Sequence, residues 1–250
     1  MTADRDARDV VSFDDRRTAL TQVLVGDLTS CVVDEADRHH VLKVMRARQN
    51  ERVVAGDGKG GWRMLTVTNG ELVTGTQQGH VNRARPRITL VVSPLKSDRT
   101  ELVVQKSAEL GIDCVVIVPM ARTVVKSRSD KLAPTLLRLQ RIATEAWAQS
   151  RGLWLTEVRL ASQLSDVVDA QTWRADFSLS AVSPVDALGD SPESIMVAIG
   201  PEGGFDEAEC LLVPRVIGLG ASVLRAETAA LSAAIQLSVA RTQGESAARP

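Results

Sequence analysis

The sequence predicts an α/β protein: a small leading β-barrel domain, then a larger domain in which helices alternate with the strands of a mainly parallel sheet. Two observations carry that prediction. Up to about residue 80 the apolar runs are short and separated by Asp57-Gly58, Lys59-Gly60-Gly61 and Asn69-Gly70, residues that tolerate the positive φ of tight β connections. After Asn82 the runs lengthen, and continuous apolar stretches such as residues 87–92 and 195–199 alternate with helical periodicity, the pattern of strands buried on both faces.

In the leading part, strands are expected over residues 22–25, 30–33, 51–55, 62–68 and 71–76. A helix is expected over 35–48, with Val41, Val44 and Met45 on one face. In the trailing part the expected order is strand 87–92, helix 100–110 closed by Gly111, strand 114–118, helix 131–149, strand 178–182, strand 195–199, helix 207–216 and helix 226–240. Residues 1–82 are thus assigned to the small domain, 83–242 to the α/β domain and 243–250 to a small polar tail. That tail and the first residues of the chain are expected to fray.

Composition narrows the function classes. The 250 residues are 44% hydrophobic and 24% charged, which excludes disorder throughout and collagen-like repetition and provides for one or two cores. No run of about 18 apolar residues occurs, and residues 1–17 carry Asp and Arg where a secretion signal needs an apolar core, so a cytoplasmic location is expected. Cys31, Cys114 and Cys210 are an odd number far apart, and they and the three histidines show no metal-ligand spacing. No metal is expected.

The formal net charge of −1 conceals an asymmetry. Residues 81–160 hold 14 basic and 7 acidic side chains, whereas 161–250 hold 5 and 12. A polyanionic partner is therefore expected at the central region and not at the C-terminal surface. The predominance of Arg over Lys suits bidentate phosphate contacts and also follows from GC-rich coding.

The sharpest local signal is strand 195–199 running into Gly200-Pro201-Glu202-Gly203-Gly204-Phe205, with Asp206 placed to cap a helix and Glu209 at the capping-box position. Glycine lets a ligand approach the backbone closely, and ligands of open α/β sheets bind beyond the carboxyl ends of strands. Neither Gly-x-x-x-x-Gly-Lys-Ser/Thr nor Gly-x-Gly-x-x-Gly is present, and Glu202 would repel a phosphate. A second glycine-broken segment, Gly218-Leu219-Gly220-Ala221-Ser222-Val223-Leu224-Arg225, also follows an apolar strand and leads into a helix rich in Ala. Glu227 and Thr228 sit at the mouth of that helix. Two such loops favour a shared pocket, although each also reads as a tight turn, and an Arg225–Glu227 contact would order the second.

These segments carry a resemblance. His39-His40-Val41-Leu42-Lys43-Val44-Met45-Arg46, Gly56-Asp57-Gly58-Lys59-Gly60, Pro94-Leu95-Lys96, Gln105-Lys106-Ser107-Ala108-Glu109-Leu110-Gly111, Glu145-Ala146-Trp147-Ala148-Gln149-Ser150 and the two glycine loops, in this order and spacing, are similar to the 16S ribosomal RNA uracil-N3 methyltransferases of the knotted SPOUT class. The match runs from about His39 to Ala230. Two departures stand out: Gln149-Ser150-Arg151-Gly152 where the family has Gln-Ser-Gly-Arg, and Gln49-Asn50 where a glycine is common.

The resemblance implies a PUA-like β-barrel followed by a SPOUT-type, trefoil-knotted α/β domain. It implies S-adenosylmethionine as cofactor, 16S rRNA within the small ribosomal subunit as partner, and a homodimer. The matching cofactor positions are Leu179, Ser180, Ala181, Ile199, Gly200, Pro201, Glu202, Gly203, Gly204, Leu219, Gly220, Val223, Leu224, Arg225, Thr228 and Ala229. Arg225 and Glu227 are the expected catalytic pair. RNA contact is expected from His39, Lys43, Arg46, Lys96, Arg99, Lys106, Arg122, Gln149 and Arg151, with Lys126 and Arg128 in the same positive stretch. The alternatives are a knotted methyltransferase acting on another RNA site or a ribose 2′-hydroxyl, and an assembly factor that keeps the fold without turnover.

Overall fold

The computed structural model describes residues 16–125, 132–178, 181–190 and 193–247. It divides into two units: Met1–Arg83 with Trp147–Leu155, and Ala84–Ala146 with Thr156–Pro250.

The first unit is a four-stranded sheet in the order β1 (Thr21–Leu24), β2 (Arg52–Gly56), β3 (Gly61–Thr68), β4 (Glu71–His80), with β1 parallel to β2 and the other pairs antiparallel. Asn69 and Gly70, at φ 53° and 79°, turn β3 into β4, the left-handed pair that matches strand twist in a two-residue hairpin. Alternation along β2 serves two small cores. Val53 and Ala55 pack with Val23, Val41 and Leu65, while Val54 packs with Ala19, Trp62, Met64 and Leu153. The strand pairing forms an open sheet: among the described residues no pair joins β1 to β4, so the expected barrel is not closed by hydrogen bonds.

Two expectations in this unit are corrected. Residues 30–33 form no strand, only a bridge between Val25 and Val33, because Cys31 takes φ 47° and breaks the extended run. The helix over 35–48 is shorter and changes type: α1 (Glu35–His39) gives way to a π-type segment, His40–Val44. The wider turn shifts the phase, so Val41 stays buried while Val44 and Met45 are exposed. Asn50 adopts φ 67°, the left-handed backbone for which the family commonly uses glycine.

The segment Trp147–Leu155 belongs to this unit, although the division at residue 82/83 leaves it with the other domain. A Cβ on Gly56 would lie 2.8 Å from Trp147 Cζ2, so the glycine makes room for the indole.

The second unit is a six-stranded, all-parallel sheet. Its order is β10 (Arg215–Ile217), β8 (Trp173–Ala175), β9 (Ser194–Ile199), β5 (Arg87–Val92), β6 (Cys114–Ile117), β7 (Glu157–Leu160). Its helices are α2 (Arg99–Glu109), α3 (Leu132–Ser150, to residue 146 in this unit), α4 (Pro184–Gly189), α5 (Glu207–Leu212) and α6 (Ala226–Ala247). Both faces of the central strands are covered. Ile88, Leu90 and Val92 of β5 pack with Val103 and Val104 of α2 and Ala230, Ala233 and Leu237 of α6, while Val91 packs with Val116 and Ala198 on the opposite face. This explains why β5 and β9 read as continuous apolar runs.

Here too the structure redraws some elements. The helix expected over 207–216 stops at Leu212, because Pro214 lacks the amide a helix needs, and residues 215–217 are extended as β10. Of the strand expected over 178–182, residues 179 and 180 lie outside the described residues and Val182 contributes a bridge to Ile217, while an earlier strand, β8, stands between β9 and β10. The edge strand β7 was not foreseen, since Glu157 and Arg159 interrupt its apolar pattern. The tail assigned to 243–250 is helical as far as Ala247. Among the described residues no helix is long and apolar enough to cross a membrane.

Candidate active site

The chain leaves β5 toward β6 and β7 on one side and returns with β9 on the other, so the switch point of the sheet lies between β5 and β9. Beyond the carboxyl end of β9 lies a cleft of about 490 Å³, within the usual size of a small-molecule site. Ala175, Asp176 and Phe177 after β8 form one wall, Ile199 to Glu202 with Gly204 and Phe205 a second, and Leu219, Gly220 and residues 222–226 a third. Ala229 of α6 and Cys210 of α5 complete it.

The first glycine loop is held by specific bonds. Gly204 takes φ 70° and donates its amide to the Pro201 carbonyl at 2.8 Å, a turn that a residue with a Cβ would strain. A Cβ on Gly200 would meet the Phe205 ring at 3.1 Å. Asp206 and Glu209 form a complete capping box at the start of α5. From the loop after β6, Arg122 Nη1 donates to the Gly203 carbonyl at 2.9 Å. In the second loop Gly220 is at φ 143°, and the Leu219 carbonyl accepts from Ser232 Oγ and Gln236 Nε2 of α6 at 3.3 and 3.2 Å.

Charge is concentrated at the edge of the cleft. Arg99 Nη1 lies 3.5 Å from Glu227 Oε1 and 3.9 Å from Glu202 Oε1. Arg225 lines the cleft, is exposed, and has no ion-pair partner among the described residues. The Arg225–Glu227 contact read from their spacing is thus replaced by an Arg99–Glu227 pair. No group of three or more potential metal ligands occurs among the described residues.

Of the positions implied for the cofactor, Ile199, Gly200, Pro201, Glu202, Gly204, Leu219, Gly220, Val223, Leu224, Arg225 and Ala229 line this cleft. Gly203 instead faces Arg122, and Ala181 lies behind Gly218, where an added Cβ would come within 3.1 Å of it. Thr228 is exposed in the first turn of α6, outside the lining. Leu179 and Ser180 lie outside the described residues, as do Lys126 and Arg128. Sequence reasoning missed Ala175, Asp176, Phe177, Phe205, Cys210, Ser222 and Ala226. The first three escape it because β8 ends three residues before the strand expected there.

The residues expected to contact RNA differ in availability. His39, Lys43 and Arg46 are exposed in the first unit, as are Lys96 in the second and Gln149. Lys106 is paired with Glu109 at 2.7 Å, Arg122 is bonded to Gly203, and Arg99 sits between carboxylates. Arg151 donates to the carbonyls of Ala148, Ala19 and Leu20 at 2.9 to 3.0 Å, and burial lowers its pKa. It is a structural residue of the first unit, at φ 59°.

A family model described as an RNA methyltransferase domain matches residues 82–238, and one described as an RNA methyltransferase PUA domain matches residues 33–75. The chain belongs to this RNA methyltransferase family. The methyltransferase is 27% identical over 234 residues to ribosomal RNA small subunit methyltransferase E of Bacillus subtilis, covering 86% of this chain and 91% of that protein. Among solved structures it is similar to ribosomal RNA small subunit methyltransferase E from Neisseria gonorrhoeae, bound to S-adenosylmethionine, at 25% identity and a TM-score of 0.72, covering 88% and 97% of the two chains. A Legionella pneumophila methyltransferase in complex with the same cofactor aligns at 26% identity and a TM-score of 0.70, covering 83% and 90%. The fold of the methyltransferase is a PUA-like domain preceding a SPOUT-type catalytic domain.

Proposed function

We propose that this methyltransferase transfers the methyl group of S-adenosylmethionine to N3 of a uridine in 16S rRNA of the small ribosomal subunit, as a cytoplasmic homodimer. The observation that carries the reading is the cleft between two glycine-broken loops within the methyltransferase domain, with Arg225, which has no ion-pair partner among the described residues, on its wall. The relatives from Bacillus subtilis and Neisseria gonorrhoeae act, by their names, on small-subunit ribosomal RNA, and two neighbouring structures hold the cofactor.

The residues fit that cofactor. Gly204 and Gly220 adopt positive φ, and a Cβ at either would meet nothing within 4 Å, so the backbone is bare where a ligand would approach. Phe177, Phe205, Leu219 and Val223 offer apolar surface for an adenine, and the Glu202 carboxylate suits a cationic ligand. When bound, the cofactor supplies an electrophilic methyl on a sulfonium and leaves as a neutral thioether.

The protein's part is orientation and charge. Uracil N3 carries a weakly acidic proton that must leave before or during transfer, and the negative charge then spreads onto the base oxygens. Arg225 supports those oxygens, and Glu227 accepts the proton. Exposed His39, Lys43, Arg46 and Lys96 contribute phosphate contacts that position the RNA.

The test is transfer of labelled methyl to small subunits lacking base methylation, with naked rRNA and tRNA alongside, followed by nucleoside analysis. 3-Methyluridine from the subunits alone supports the reading. A different nucleoside, or cofactor binding without transfer to any RNA, overturns it in favour of another target site or an assembly role.

A further inference from the structure

Arg99 stands in the positive central stretch of the chain, and the charge count alone assigns it to RNA. Its surroundings assign it elsewhere. The guanidinium is within 4 Å of Glu202, in the loop after β9, and of Glu227, in the first turn of α6 directly after the second glycine loop, so one cation joins the elements that follow both strands. The side chains are 35%, 35% and 14% exposed for Arg99, Glu202 and Glu227, which leaves Arg99 less open to a phosphate than Lys96. The turn that presents it is tied down: Thr100 Oγ1 accepts from the Leu95 amide at 2.9 Å and donates to the Leu95 carbonyl at 3.3 Å.

Glu227 completes the argument. Arg99 approaches its Oε1, while Oε2 is buried and has no hydrogen-bond partner among the described residues. A buried carboxylate oxygen without a donor is costly, and a site keeps such a group where a substrate brings the donor.

We propose that Arg99 is a positioning residue of the methyl-transfer site. It orients Glu227 through Oε1, leaves Oε2 to receive the N3 proton of the target base, and ties the Glu202 loop to the first turn of α6. In that step the N3–H bond breaks, the Oε2–H bond forms, and the electron pair stays on the base to attack the methyl carbon. This rests on the function proposed above.

The experiment compares the unsubstituted protein with Arg99→Gln, Arg99→Lys, Glu227→Gln and the Arg99→Gln/Glu227→Gln double variant. Steady-state transfer, RNA binding over a salt series, S-adenosylmethionine binding by calorimetry and thermal melting are measured for each. Arg99→Gln is expected to lower kcat about 100-fold, the range of a misplaced general base, with KM for RNA changed less than about threefold and the salt slope unaltered. Arg99→Lys keeps the charge without the fork and is expected to recover most of kcat.

The proposal is overturned if Arg99→Gln raises KM for RNA at constant kcat and lowers the salt slope by about one, the mark of a phosphate ligand. It is also overturned if Arg99→Lys is no better than Arg99→Gln, or if the melting midpoint of Arg99→Gln collapses. If the unsubstituted protein methylates no RNA, the functional reading falls and cofactor binding decides on Arg99. Equal weakening in both single variants and the double variant retains the tie between the loops, and additive weakening discards it.

Discussion

Glu209 Oε1 accepts a hydrogen bond from the Ala121 amide at 2.7 Å, while Oε2 of the same carboxylate accepts from the Asp206 amide at 3.0 Å. One buried side chain thus closes the capping box of α5 and pins the loop after β6. That loop returns the favour through Arg122, which bonds to Gly203. The first glycine loop is therefore held from its own helix and from the neighbouring strand's loop.

Glu209→Ala removes the reciprocal half of the capping box and leaves the Asp206 and Ala121 amides without this acceptor. A loss of about 2–3 kcal/mol is expected from the two charge-assisted bonds, measured by urea denaturation, together with weaker S-adenosylmethionine binding by calorimetry. Glu209→Gln keeps an acceptor and is expected to lose about 1 kcal/mol. Equal losses in the two variants would contradict this assignment.

Two glycines of the loop are expected to affect cofactor affinity and stability in different proportion. Gly200→Ala drives a Cβ to 3.1 Å from the Phe205 ring, so the ring must shift in the cleft it lines and cofactor affinity falls. Gly204→Ala meets no protein atom within 4 Å but must hold φ 70° and puts a methyl group on the bare backbone of the cleft, so about 1 kcal/mol of folding stability is lost along with cofactor affinity. Calorimetric titration and thermal melting of both variants make the comparison.

Arg225→Ala is expected to abolish turnover while changing the S-adenosylmethionine dissociation constant much less, because Arg225 lines the cleft and has no ion-pair partner among the described residues. Single-turnover methyl transfer and calorimetry on the same preparation decide it. Parallel loss of both would remove Arg225 from the chemistry.

Asp113 and Arg241 form a buried ion pair at 2.7 Å, with exposures of 4% and 8% for the two side chains. Asp113 also accepts from the Ile88 amide, and Arg241 donates to the Gly111 carbonyl, so the pair ties α6 to the sheet. Arg241→Ala removes the cation that neutralises the buried carboxylate and is expected to cost about 3–5 kcal/mol, measured by chemical denaturation, with activity per folded molecule retained.

The Asp27 carboxyl is held down to about 2 by the backbone amide of Thr29, then by the hydroxyl and amide of Ser30. Its folded pKa lies below the ordinary 3.8, so the charged form is favoured in the native state. The contribution of this turn to stability is fully present above about pH 4 and is lost as pH falls toward 2. An NMR titration of the Asp27 carboxyl is expected to show its midpoint near 2, and Asp27→Asn to remove the corresponding acid limb of the stability profile.

What the sequence determined by itself is what short-range chemistry controls. The hairpin at Asn69-Gly70, the Gly111 stop after α2, the capping box at Asp206 and the continuous strands β5 and β9 each depend on residues within a few positions of one another, and local φ/ψ preference and periodicity are enough to read them. The stop before Pro214 is local as well, since proline ends the helix against its apolar periodicity, whereas the π-type segment at His40–Val44 has no such local marker.

Tertiary structure alone decided the partners that lie far apart in the chain. Trp147–Leu155 returns to the first unit because Gly56 opens room for an indole about 90 residues away in the chain. Folding brings Arg99 between Glu202 and Glu227, and three backbone carbonyls take the donors of Arg151. Composition counts charges, but which charge meets which is set by how the loops of a parallel sheet converge at one end. No property of a single segment encodes that convergence.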